Sequence, residues 1–172
     1  MNQNESVLSL KIAVLTVSDT RTEADDKSGK ILVDNLTTAG HSLAEKTIVP
    51  DNIYQIRAVI SKWIADESVQ VILTTGGTGV TGRDGTPEAI KPLLDKEIEG
   101  FCEIFRMISY QEIKTSTIQS RTLAGVANGT YIFCLPGSSG ACQTRWSIIK
   151  DRLNSRHRPC NLAQLIPRLT ET

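Results

Sequence analysis

Residues 73–88 read Leu-Thr-Thr-Gly-Gly-Thr-Gly-Val-Thr-Gly-Arg-Asp-Gly-Thr-Pro-Glu, and this stretch constrains the fold more than any other. Five glycines fall within ten residues: Gly76, Gly77, Gly79, Gly82 and Gly85. Each costs backbone entropy on ordering, so packing does not explain them. They follow an apolar strand, Val69 to Leu73, and precede Thr86-Pro87-Glu88, which reads as cap, first-turn proline and first-turn acid of a helix. A strand-to-helix junction bare of side chains presents backbone N–H groups, and such groups suit anions. Asp84 repels a bare phosphate, so a divalent cation is expected between the two.

The flanking segments extend this strand-loop-helix unit in both directions. Leu10 to Val17 is an almost continuous apolar run, as a parallel strand covered on both faces requires. A polar loop leads to a helix over Ser28 to Ala39, capped by Asp26 or Ser28 and stopped by Gly40. Leu43 to Val49 makes a second strand, ending at Pro50. Asp51 can cap the next helix, whose apolar stripe is Ile53, Ile56, Val59, Ile60, Trp63 and Ile64. Val69 to Thr75 is a third strand. Beyond the glycine loop a helix is expected to about Ile98, broken by Gly100 before another from Phe101 to about Ile113. Ser120 to Ala127 and Tyr131 to Leu135 read as strands, Ala141 to Leu153 as a helix, and the tail from Ser155 as irregular.

Strands alternating with helices predict an α/β fold, with a mostly parallel sheet between helical layers. Ligands of such sheets bind outside the carboxyl ends of the strands. Ser18-Asp19, the glycine loop and Pro136-Gly137-Ser138 all leave strands there, so one shared pocket is expected. The 172 residues suit one domain behind a flexible lead-in of residues 1–9. Nineteen basic residues balance nineteen acidic ones, which argues against a nucleic-acid partner. No apolar run approaches the ~20 residues of a membrane span, and the first residues carry no secretory pattern. A cytoplasmic protein is expected. Cys102, Cys134, Cys142 and Cys160 lack C-x-x-C spacing and only His41 and His157 accompany them, so no zinc site is expected.

Gly77 to Gly82 spells G-x-G-x-x-G, but the dinucleotide fingerprint needs the helix to open at those glycines. Here it opens only at Thr86-Pro87. The same residues satisfy the first half of a Walker A loop, yet Arg83-Asp84 stand where Lys and Ser/Thr must be. What remains is a phosphate-approaching loop with its own carboxylate. Asp84 can hold Mg2+, which favours one or two carboxylates plus substrate phosphate oxygens. Asp51 is either the second carboxylate or a helix cap, and Arg83 either a phosphate ligand or an exposed loop residue.

These residues resemble the signature of the molybdenum-cofactor biosynthesis family that includes MoaB, MogA and the gephyrin G-type domains. The resemblance rests on Thr74-Thr-Gly-Gly-Thr-Gly79 followed by Arg83-Asp-Gly-Thr-Pro-Glu-Ala89. Val17-Ser-Asp19, Asp26-Lys-Ser-Gly29, Ser120-Arg121 and Leu135-Pro-Gly-Ser138 extend it over residues 10 to 165. Phe105-Arg-Met-Ile-Ser109 and Arg156-His-Arg-Pro-Cys-Asn161 look most like the MoaB branch.

The resemblance implies a three-layer α/β/α sandwich over residues 10–172, assembled as a homotrimer or homohexamer and working with other enzymes of the pathway. It implies Mg2+, with molybdopterin and ATP as substrates and no tightly bound cofactor. AMP would pass to the pterin's terminal phosphate with release of pyrophosphate. Asp51 and Asp84 match the family's two functional aspartates. Thr75, Gly76, Gly77, Thr78 and Gly79 would cradle the phosphates. Ser18, Asp19, Ser120, Arg121, Pro136, Gly137 and Ser138 match positions lining the pterin and nucleotide pocket, with Glu103 and Arg106 on a nearby helix. A non-catalytic molybdopterin-binding paralogue or pathway partner is the competing reading.

Overall fold

Successive side chains of a strand point to opposite faces, so a run that is apolar at every position needs cover on both. Strand β1 (Lys11–Val17) is such a run, and its residues divide by parity. Ile12 and Val14 belong to one core, whereas Ala13, Leu15 and Val17 belong to the other. Strand β3 (Val71–Thr75) and strand β6 (Thr130–Leu135) divide in the same way, with Leu73 and Phe133 on the first face and Ile72 and Ile132 on the second. The computed structural model describes residues 7–171 and, over 139–145, the backbone only. The lead-in expected over residues 1–9 thus lies mainly outside the described residues.

The six strands run in the order β2-β1-β3-β6-β5-β4, where β2 is Ser42–Val49, β4 is Lys96–Glu97 and β5 is Leu123–Ala127. β2, β1, β3 and β6 are mutually parallel, and β5 is antiparallel to both of its neighbours. The β5–β6 reversal is a two-residue turn, Asn128-Gly129, with φ of 46° and 79°. Positive φ at both central residues matches the twist of a hairpin. Helices α1 (Lys27–Thr38), α4 (Glu99–Ile113) and α5 (Ser139–Leu153) cover one face through Leu32, Leu36, Phe101, Trp146 and Ile149. Helices α2 (Ile53–Ala65) and α3 (Thr86–Ile90) cover the other through Ile56, Ile60, Trp63 and Ile90. The expected three layers and mostly parallel sheet are present.

Several boundaries differ from expectation. The helix expected from Thr86 to Ile98 ends at Ile90 and continues as a 3-10 turn over Lys91–Leu93, followed by β4. Pro92 has no N–H for an α-helical bond, which accounts for the break. Gly100 does not interrupt: it lies in the first turn of α4, which begins at Glu99. The tail is not wholly irregular, since Ala163–Arg168 forms a 3-10 helix. The cap of α2 is Asn52 rather than Asp51; its Oδ1 accepts the N–H groups of Tyr54 and Gln55 at 3.0 and 3.2 Å. Asp26 does cap α1, accepting from Gly29 N at 2.9 Å.

Candidate functional site

The glycine loop leaves β3 at the point where the sheet reverses its direction of growth. The chain passes from β1 outward to β2, then returns to place β3 on the other side of β1. Loops after β1 and β3 therefore diverge and leave a crevice, where ligands of open α/β sheets bind. Gly76 and Gly77 both have positive φ, 103° and 65°. A Cβ on Gly76 would strike the Val17 carbonyl oxygen; one on Gly77 would strike Thr86 Oγ1 and lie 2.6 Å from Asp51 Oδ2. The loop is stitched to its surroundings: Gly76 N donates to Leu135 O at 3.0 Å, Thr86 Oγ1 to Gly76 O at 2.9 Å, and Thr86 N to Gly77 O at 3.0 Å. Thr86 is thus the first residue of α3 and a tie to the loop, not the helix cap, which is Gly85.

Asp84 is half-buried and faces a cleft of about 380 Å3. Thr81 donates to Asp84 Oδ2 from its hydroxyl at 2.6 Å and from its backbone at 2.9 Å. The hydroxyl bond foremost, with backbone donors at Thr81 and Gly79, holds Asp84 below the ordinary carboxylate range. It is a committed anion at neutral pH. Arg121 is not on the cleft wall, as the resemblance implied, but under the loop. Its Nε donates to Gly79 O at 2.7 Å, Nη2 to Asp84 O at 3.0 Å, and Nη1 pairs with Glu88. The guanidinium fork fixes the loop's outer arm to α3.

Asp51 meets the same loop elsewhere. Oδ1 accepts the Gly85 N–H at 3.1 Å, while Oδ2 faces the bare side of Gly77. Burial above all, and the charges of Asp84 and Asp19, push its pKa up against the Gly85 bond. Asp19 is engaged by protein groups: Arg83 donates to it through Nη2 at 2.6 Å and Nε at 3.0 Å, and Asp51 N donates at 3.0 Å. The Arg83 hydrogen bond chiefly lowers its pKa. Asp19 therefore ties the ends of β1 and β2 to the glycine loop, and Arg83 is its partner.

The cleft runs between the carboxyl ends of β3 and β6. Gly76, Gly77, Thr78 and Gly79 form one wall and Pro136, Gly137 and Ser138 another, as expected. Ser120 closes the third side, its Oγ buried without a hydrogen-bond partner among the described residues. Thr75 lies behind the wall and donates from Oγ1 to Pro136 O at 3.1 Å. Sequence reasoning missed Phe105, Ile113, Ser116 and Gln119, which complete the lining from α4 and the 3-10 segment Lys114–Gln119. Glu103 and Arg106 are exposed and do not line the cleft, because the adjacent Phe105 turns inward. A smaller compartment of about 200 Å3 adjoins it across Gly76 and Gly137, in the β1/β3 crevice; Ser18 lines it, with Arg21 and Ser28, which were also missed.

Among the described residues no three ligating side chains cluster, so no all-protein metal cage exists. An ionised Asp84 on the cleft and a second carboxylate, Asp51, whose pKa is raised by burial and then by its negative neighbours, do fit Mg2+, which arrives with phosphate oxygens and few protein ligands.

An α/β sandwich with a stitched glycine loop and a carboxylate beside a two-compartment cleft at the carboxyl ends of its strands is the build of a ligand-binding α/β domain. The chain belongs to the MoaB/MogA family: the model of a probable molybdopterin binding domain matches residues 13–155. The chain is 57% identical over 152 residues to the molybdenum cofactor biosynthesis protein B of Escherichia coli (strain K12), covering 88% of this chain and 89% of that one. It is 40% identical over 155 residues to a probable molybdopterin adenylyltransferase of Methanocaldococcus jannaschii, covering 86% and 92%. A solved structure of a molybdenum cofactor biosynthesis protein B superposes with a TM-score of 0.87 at 39% identity, covering 98% of this chain and all of that one.

Proposed function

We propose that this chain is a cytoplasmic molybdopterin adenylyltransferase: it binds molybdopterin and Mg-ATP in the cleft and joins AMP to the pterin's terminal phosphate. The observation that carries this reading is the glycine loop itself, held rigid by Arg121 and Thr86 with an ionised Asp84 facing the cleft. In the reaction a pterin phosphate oxygen attacks the α-phosphorus of ATP, the bond from that phosphorus to the bridging oxygen breaks, and pyrophosphate leaves. The attacking oxygen is already an anion, so no general base or covalent nucleophile is required. Asp84, with Asp51 behind the loop, would hold Mg2+, which when bound shields the repulsion between the two anions. Ser120 Oγ, buried and without a hydrogen-bond partner among the described residues, offers its hydroxyl to the substrate occupying the cleft. Phe105 and Ile113 supply apolar surface for a flat ring.

The chain also acts as a homotrimer or homohexamer in this reading, supported by Ile104, Met107, Tyr110 and Ile113, which stand exposed along α4. Incubation with molybdopterin, ATP and Mg2+, followed by detection of adenylylated pterin and pyrophosphate, tests the activity. Pterin bound tightly without turnover makes the chain a non-catalytic binder or pathway partner instead.

A further inference from the structure

The smaller compartment differs in chemistry from its neighbour. It is lined by Thr16, Ser18, Arg21, Ser28 and Thr75 around Gly76 and Gly137, without a carboxylate among these residues. Most of its hydroxyls are already committed: Thr16 Oγ1 donates to Asp26 at 2.7 Å, Ser28 Oγ to Gly137 O at 2.8 Å, and Thr75 Oγ1 to Pro136 O. Ser18 is different. Its Oγ accepts from Thr20 N and Arg21 N at 3.3 and 3.2 Å, which leaves its own hydrogen to donate.

Arg21 is half-buried, yet its guanidinium makes no hydrogen bond or ion pair among the described residues. The carboxylate whose field it shares, Asp25, already has its Oδ1 taken by Thr22, whose N–H and hydroxyl donate at 2.5 and 3.1 Å. Asp26, behind Thr16, is neutralised by Lys46 at 2.9 Å. A partly desolvated guanidinium with five donors, beside a free hydroxyl proton and a glycine that lets backbone approach, lacks only an oxyanion.

We infer that this compartment is a phosphate subsite that works without a metal ion, with Arg21 as its charged ligand and Ser18 as its hydroxyl donor. It deepens the adenylyltransferase reading by placing one substrate phosphate in the β1/β3 crevice, apart from the Asp84 side of the loop. The phosphate could come from either substrate, the nucleotide or the pterin.

Inorganic phosphate titrated calorimetrically into the full chain in magnesium-free buffer tests this. Saturable binding is expected, weakened roughly tenfold or more in Arg21→Gln and less in Arg21→Lys, because a charge-assisted fork is lost in the first and reduced to a point charge in the second. Lys30→Gln removes the same charge from the exposed face of α1 and should bind like wild type. Circular dichroism confirms that each variant is folded. Binding unaffected by Arg21→Gln, or equally weakened by Lys30→Gln, overturns the subsite, as does a wild type that does not saturate. Competition by AMP assigns the subsite to the nucleotide; its absence assigns it to the pterin phosphate, and either result supports the subsite. Phosphate bound through Arg21 by a chain that never forms adenylylated pterin keeps the subsite and removes the transferase reading.

Discussion

Asp84 and Asp51 touch one loop and carry opposite shifts, the first lowered by donors and the second raised by burial and negative neighbours. Replacing Asp84 by Asn keeps the shape and removes the charge, so Mg2+-dependent AMP transfer should be lost while the thermal midpoint stays within a few degrees of wild type. Undiminished turnover would remove Asp84 from the chemistry. Arg121→Lys should loosen the loop, because one ammonium cannot span Gly79 O, Asp84 O and Glu88 as the fork does. Turnover should fall by at least about tenfold with pterin affinity less affected, a split that steady-state kinetics resolves. Gly77→Ala brings both a positive φ and a collision with Thr86 and Asp51, and should cost more than about 1 kcal/mol in denaturant unfolding.

The start of α2 separates two roles that its sequence left entangled. Asn52 makes the capping bonds, so Asn52→Ala should cost about 1 kcal/mol and leave turnover nearly intact. Asp51→Ala should do the reverse, losing activity with little loss of helix stability; equal destabilisation by both would return Asp51 to a structural role. Most elements were legible because their cues are local. The parity of β1, the stripe of α2 and the Asp26 cap all depend on residues within a turn or two of one another. A local cue also marked the helix that was read too long, Pro92 as a breaker. It was outweighed by an apolar run that fits either a helix or a strand.

Across the whole molecule, acid acts first at the amino ends of β1 and β2, at the opposite edge of the sheet from the cleft. His41 is buried and accepts Leu10 N at Nδ1, 3.3 Å away, and burial depresses its pKa below 6.5. The unfolded chain takes up that proton first as pH falls, so stability should begin to drop below about pH 6.5. His41→Asn, whose amide oxygen can take the Nδ1 position, should flatten that part of the profile in chemical denaturation. Asp26 acts in a lower window. Burial raises its pKa, but Lys46, Gly29 and Thr16 together hold it below 3.8, so its contribution persists above that value and is lost only as pH falls through the depressed pKa. A profile flat from pH 7 to 5 in wild type would contradict the His41 assignment.

By itself the sequence determined the alternating elements, the two-sided strands, the glycine loop and its carboxylate, since each is written in neighbouring residues. Only the tertiary structure decided what the polar side chains do once the loops converge. Asp19 and Arg83 pair across 64 positions, Arg121 reaches back 42 residues to Gly79, and Arg21 is left beside the crevice with no hydrogen-bond or ion-pair partner among the described residues. Hydrogen bonds of that span depend on how strands are ordered in the sheet, and spacing along the chain carries no record of which donor arrives at which acceptor.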